Sequence, residues 1–170
     1  MRDTAIVGSE DIARMFSVLH DGSITDATAK DGCFSLCIEI RYLAEQIDNS
    51  FTYFSVELLS NDDLCSARWR SKNAESARSI ADAVDLKRMD IEVLSAAAVD
   101  DVVEVHSISH FASPDSGYGT LLLEALRANV TDESGTAWSL ENFIKLASRY
   151  WIEWEEAARK AREEHGEDRR

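Results

Sequence analysis

Apolar and polar residues alternate in distinct blocks along the chain, and each block predicts an element. Ile12, Met15, Phe16 and Leu19 fall at i, i+3, i+4 and i+7, one face of a helix over about 10–19. Ser9 precedes it as a cap, Glu10 and Asp11 sit in its first turn, and His20-Asp21-Gly22 closes it. From Cys33 to Tyr42 the alternation is strict. Phe34, Leu36, Ile38, Ile40 and Tyr42 share one face, and Cys33, Ser35, Cys37, Glu39 and Arg41 the other. That is a half-buried antiparallel strand, entered through the turn Asp31-Gly32. Phe51 to Leu59 repeats the pattern, with Phe54, Val56 and Leu58 inward. Cys65, Ala67 and Trp69 carry the apolar face of another strand, and Thr25 to Lys30 is a further candidate.

Beyond residue 71 the period changes. Ser76 is placed to cap a helix carrying Ala77, Ile80, Ala81 and Val84, with Lys87 and Arg88 at its C-terminal end. Ile91–Ala98 and Val102–Phe111 flank Asp100-Asp101 as a hairpin. Residues 119–130 contain good helix formers, but turn signals on both sides favour a strand paired with 102–111. The last block is a helix over 139–163, capped by Ser139 and roughly 37 Å long. Phe143, Ala147, Tyr150, Trp151, Trp154 and Ala158 stripe one side of it, and an antiparallel sheet is the surface it is expected to cover.

These elements predict an α+β fold: a single antiparallel sheet of about six to seven strands, packed by a long C-terminal helix and a short N-terminal one. The strand-rich body spans 24–130, and residues 1–170 form one domain, without repeat or linker. A chain of 170 residues with 45% hydrophobic and 29% charged residues and one proline is of ordinary globular composition. No apolar run approaches the ~20 residues of a membrane span, and the start lacks a signal-peptide core.

Charge changes the picture most. The net charge is −14; residues 1–140 hold 24 acids and 11 bases, and residues 141–170 hold 8 and 7. The acidity therefore lies on the body. Such a surface repels nucleic acids and anionic membranes and suits a basic protein partner. Its other explanation is solubility alone. Three cysteines, Cys33, Cys37 and Cys65, do not make a disulfide framework and fit a reducing cytoplasm. The sequon Asn129-Val130-Thr131, without a secretion signal, is read as chance.

Candidate chemistry is sparse. His106 and His110 share a face, but on a strand they stand about 13 Å apart, too far for one ion. Cys33 and Cys37 are equally far apart, beyond disulfide reach. His20-Asp21 has the residue types of an acid–base pair, but neighbours in sequence rarely align as one. No nucleophile elbow, phosphate loop or zinc helix motif occurs, so no catalytic residue, metal or cofactor is expected. An enzyme with dispersed acidic residues is the alternative. Partner-binding candidates are the acidic turns Asp62-Asp63, Asp100-Asp101 and Asp132-Glu133, if they converge, and the aromatics Trp151 and Trp154. A homodimer through the aromatic helix is a further alternative.

Phe16-Ser17-Val18-Leu19-His20-Asp21-Gly22-Ser23-Ile24, then Asp31-Gly32 entering an alternating strand, then Phe51 to Leu59 and Trp69, resembles a layout found in uncharacterised bacterial proteins. Some of these are similar to immunity proteins of polymorphic toxin systems. The resemblance covers about residues 12–70. It implies a small cytoplasmic binding protein that neutralises a toxin by occluding it, with no catalytic group.

Overall fold

The computed structural model describes residues 4–60, 66–80, 82–111 and 116–167. Their elements run β1 (Ile6–Val7), α1 (Ser9–Val18), β2 (Ser23–Lys30), β3 (Cys33–Glu39), α2 (Arg41–Ala44), β4 (Tyr53–Leu59), β5 (Ser66–Ser71) and β6 (Arg78–Ile80). They continue with α3 (Ala83–Arg88), β7 (Ile91–Val99), β8 (Val102–Ser109), β9 (Gly117–Glu124), β10 (Arg127–Thr131), β11 (Ala137–Trp138) and α4 (Leu140–Glu167). The sheet is antiparallel and eleven-stranded, in the order β1-β10-β4-β3-β2-β7-β8-β9-β5-β6, with β11 on β10. The α+β class holds, and the expected six to seven strands is an undercount. The extra strands are the short edge pieces β1, β6 and β11, two or three residues each and too short for a hydrophobic period to register, and β10, split from the strand expected over 119–130.

The sheet consists of two blades that meet through little backbone. β2 pairs β3 along its length but touches β7 only at Ser23↔Glu92 and Ile24↔Ile91. α3 packs on β2, and α1 packs on β7 and β8. The second join is the link from β9 to β10. There Leu126 N–H donates to Leu59 O at 2.9 Å and Gly8 N–H to Leu126 O at 3.0 Å.

The expected core largely appears. Ile12, Met15, Phe16 and Leu19 are fully buried, as are Leu36, Ile38, Phe54, Val56 and Trp69. Asp31 and Gly32 both adopt positive φ, 50° and 75°. That is the backbone a two-residue hairpin loop demands between Lys30 and its partner Cys33. Gly119 serves packing instead: a Cβ there would lie 2.3 Å from the Trp69 ring, so the missing side chain makes room for the indole.

Five sequence expectations need correction. The helix capped by Ser76 does not form: Arg78–Ile80 is drawn into edge pairing with Ala67, Arg68 and Trp69, and tertiary pairing overrides helical spacing. The helix starts later, where the Asp82 carboxylate accepts from Val84 N–H at 2.9 Å. Residues 119–130 are strand, as expected, but divided. Gly117–Glu124 pairs with β8 as anticipated, while Arg127–Thr131 crosses to β4. Leu121, Leu122 and Leu123 are all buried, so this run is covered on both faces and shows no alternation. Tyr42 is not on the β3 face, because the chain leaves the sheet after Glu39 and turns into α2. Ser9 does not cap α1: its hydroxyl donates to Asp100 O at 2.8 Å, tying the helix start to the β7–β8 turn.

The fifth correction concerns α4. Its start is as expected, with Asn142 N–H donating to the Ser139 hydroxyl at 3.4 Å. Its principal neighbours, however, are α1 and α2 rather than the open sheet. Phe143 reaches down to a strand, meeting the Phe54 ring edge-on at 5.0 Å. Past Trp151 the helix leaves the body, and residues 152–157 and 159–164 are exposed. No helix among the described residues is long and apolar enough to cross a membrane.

Candidate functional site

The site forms where α1, β2, β3, α2 and α4 come together. Pairing of β2 with both neighbours decides it. Ser23 stands opposite Glu39 on one side and Glu92 on the other, and Asp21 N–H donates to Val93 O at 2.7 Å just before that junction. Asp21 and Asp90 are thereby brought together from distant parts of the chain. Both hold left-handed backbone, φ 65° and 48°, a conformation that aspartate tolerates better than most side chains. With Glu39, Glu45, Ser23, Thr25, Arg41 and Tyr42 they line a cleft of about 630 Å³.

Four carboxylates against one guanidinium make this cleft strongly negative. Among the described residues no side-chain hydrogen bond or ion pair engages Glu39, Glu45 or Asp90. Asp21 faces only the His20 ring, Nε2 to Oδ2 3.8 Å. Some charges elsewhere are paired: Arg68 with Glu124 at 2.8 Å, Arg70 with Glu104 at 3.1 Å and Lys87 with Asp26 at 3.0 Å.

One wall of the cleft is aromatic. The Tyr42 hydroxyl donates to His20 O at 3.0 Å, and its ring lies 4.6 Å from Tyr150 and 5.9 Å from Trp151. Burial, with Asp21 and Tyr150 nearby, pushes the Tyr42 phenol well above its ordinary range, so it stays a neutral donor. His20 stacks on Trp151 at 5.4 Å, 17° from parallel, and Trp154 follows at 5.9 Å from Trp151. Trp151 is half-buried in this stack; Trp154 is 52% exposed. The His20 ring of the His20-Asp21 pair is also held by its other neighbours. His20 Nδ1 is engaged by Ser17 O at 3.0 Å and its ring face is covered.

The acidic turns expected to dock a partner are placed differently. Asp62-Asp63 lies outside the described residues. Asp100 and Asp101 are exposed at the start of α1, a ten-residue helix and so about 15 Å from the cleft at the other end. Asp132 and Glu133 lie at the cleft's end of the sheet, the first buried and the second exposed, and both accept hydrogen bonds from the chain itself. Asp132 is only 4% exposed and accepts from Ser134 N–H (2.9 Å), Ser134 hydroxyl (2.6 Å), Thr136 N–H (3.1 Å) and Trp138 Nε1 (3.0 Å). Burial acts to raise its pKa, but these donors outweigh it and hold the carboxyl below the usual range. Glu133 accepts from Thr52 and Tyr53 N–H at the head of β4, which lowers its pKa also. Both are engaged by the chain itself, whereas Asp21, Glu39, Glu45 and Asp90, not singled out in sequence, bring open negative charge together in one cleft.

The remaining candidates have local roles. His106 Nδ1 lies 3.3 Å from the Thr120 hydroxyl and His110 Nε2 2.9 Å from Glu92. Among the described residues no group of three or more His, Cys, Asp or Glu is arranged to hold a metal ion. Cys33 and Cys37 are half-buried on β3, and burial pushes both thiols up, away from thiolate reactivity. Cys65 lies outside the described residues.

The fold defines the class: an α+β protein built on a large antiparallel sheet with a C-terminal helix. Compared with protein-family models, with curated proteins and with solved structures, the chain matches none.

Proposed function

We propose that this chain is a non-enzymatic protein-binding module whose acidic cleft receives a basic protein partner. The observation that supports it is Tyr42, which is at once the wall of the cleft and part of the aromatic cluster. Uncompensated carboxylates thus adjoin Tyr42 and Trp151. Aromatic side chains beside charge form the composition of many interface hot spots. The −14 net charge adds long-range attraction for a cationic surface and speeds its approach. A toxin antagonist of the immunity-protein kind would act in this way, by covering the basic working surface of its target. Neither a cofactor nor a catalytic residue enters this reading.

The test uses a lysine-rich peptide as a probe of the cleft, followed by tryptophan fluorescence. Glu39 and Glu45 are exposed, so Glu39→Lys with Glu45→Lys is expected to leave stability within about 0.5 kcal/mol per site. The same double change is expected to weaken probe binding by about tenfold or more, with steep loss as salt rises. Binding that ignores both the charge reversal and the ionic strength contradicts the proposal.

A further inference from the structure

The geometry points to a second copy of this chain as the occupant of the exposed half of α4, its own α4 lying antiparallel to the first. This goes beyond the cleft and stands independently of what the cleft binds. The helix has 28 residues, and its outer half, beginning after Trp151, leaves the body. A solitary helix extension of this length gains little from propensity alone and normally needs a packed face. The apolar seam that anchors the helix at Ala147 and Trp151 continues outward at three- and four-residue steps through Trp154, Ala158 and Ala161. One large side chain, 52% exposed, is therefore followed by small ones. In an antiparallel pair, the Trp154 of each helix lies over the alanine-rich stretch of the other, large against small.

Charge selects this occupant. The outer half carries an acidic block, Glu153, Glu155 and Glu156, and then a basic block, Arg159, Lys160 and Arg162. Antiparallel pairing lays the acidic block of one copy beside the basic block of the other; parallel pairing lays like on like. The segment is also where two such acidic molecules meet with least repulsion. Residues 141–170 hold 8 acids and 7 bases, against 24 and 11 in the rest.

Sedimentation equilibrium of the full chain tests this. The wild type is expected at twice 19.0 kDa. Two variants reverse the blocks: Glu153→Lys, Glu155→Lys and Glu156→Lys in one, Arg159→Glu, Lys160→Glu and Arg162→Glu in the other. Each alone is expected to sediment as a monomer, and an equimolar mixture to recover the dimer mass. Trp154→Glu, at a side chain 52% exposed and outside the core cluster, is expected to be monomeric with unchanged far-ultraviolet circular dichroism. A monomeric wild type overturns the inference. So do block-reversed variants that still dimerise alone, and a mixture that stays monomeric with its helix content intact.

Discussion

Asp132→Ala is expected to destabilise the chain by about 2–4 kcal/mol in urea unfolding, a large effect for one substitution outside the hydrophobic core. The side chain is 4% exposed and its two oxygens satisfy four donors. Alanine leaves the Trp138 indole N–H and the Thr136 and Ser134 N–H groups without their acceptor in a half-buried turn. Trp138 also packs beside Phe143, 6.4 Å between rings, so the loss reaches the seat of α4. The pH dependence has a definite sign. The carboxyl is held below the usual range in the folded state, so its contribution is fully present above the unfolded value near 3.9. It is lost as pH falls through the lower folded value. In Asp132→Asn, which keeps the shape but not the charge, this part of the acid-induced loss of stability should disappear. A wild-type acid limb reproduced unchanged in Asp132→Asn would show that the turn does not hold the carboxylate ionised.

Phe143→Ala is expected to cost about 3–5 kcal/mol, the range for emptying a fully buried phenylalanine site. Phe143 has no exposed surface and joins α4 to β4 through Phe54 at 5.0 Å. Eight residues further along the same helix, Trp151 stacks on His20. Loosening the helix base should therefore disturb the aromatic wall as well as the core, seen as a shift of tryptophan emission under conditions where the variant is still folded. Trp154→Ala, by contrast, should fall within about 0.5 kcal/mol in the isolated protomer, since its ring is half exposed and lies outside the core cluster. Equal costs at the two positions would contradict the view that α4 is docked along its first three turns and projects beyond them.

These expectations rest on elements of unequal legibility. Local patterns were readable. The alternation of Cys33 to Ile38, the Asp31-Gly32 turn, the stripe of α1, the Ile91–Ser109 hairpin and the Ser139 cap each place their signal within a few residues, and the structure follows them. Pairings across long separations were not. Arg127–Thr131 joins Tyr53–Leu59 some 70 residues earlier, and nothing in either segment specifies the other beyond apolar alternation. Arg78–Ile80 looks helical because its spacing is satisfied by a helix, yet the open edge of β5 offered it backbone partners.

The site shows the same division. Trp151 is found by its helical stripe. Asp21 and Asp90 are ordinary aspartates at the ends of helices, and they share a cleft only because β2 and β7 meet at two residue pairs. Asp132-Glu133 looked like a solvated acidic turn. Its serine, threonine and tryptophan neighbours in Ser134, Thr136 and Trp138 were the signal that the charge is used internally. Acid content in a turn is thus a poor guide to open charge unless the nearby donors are counted.

The proposed meeting place of a cationic protein surface and this chain is the cleft beside Tyr42. The most direct measurement is nuclear magnetic resonance of the labelled protein during titration with the lysine-rich peptide. The amides of Asp21, Glu39, Tyr42, Glu45 and Asp90 and the indole N–H of Trp151 should move together. The indoles of Trp69, which is 1% exposed, and of Trp138, bonded to Asp132, should stay still. Shifts gathered instead around Asp100-Asp101, or scattered over the whole acidic body, would contradict it.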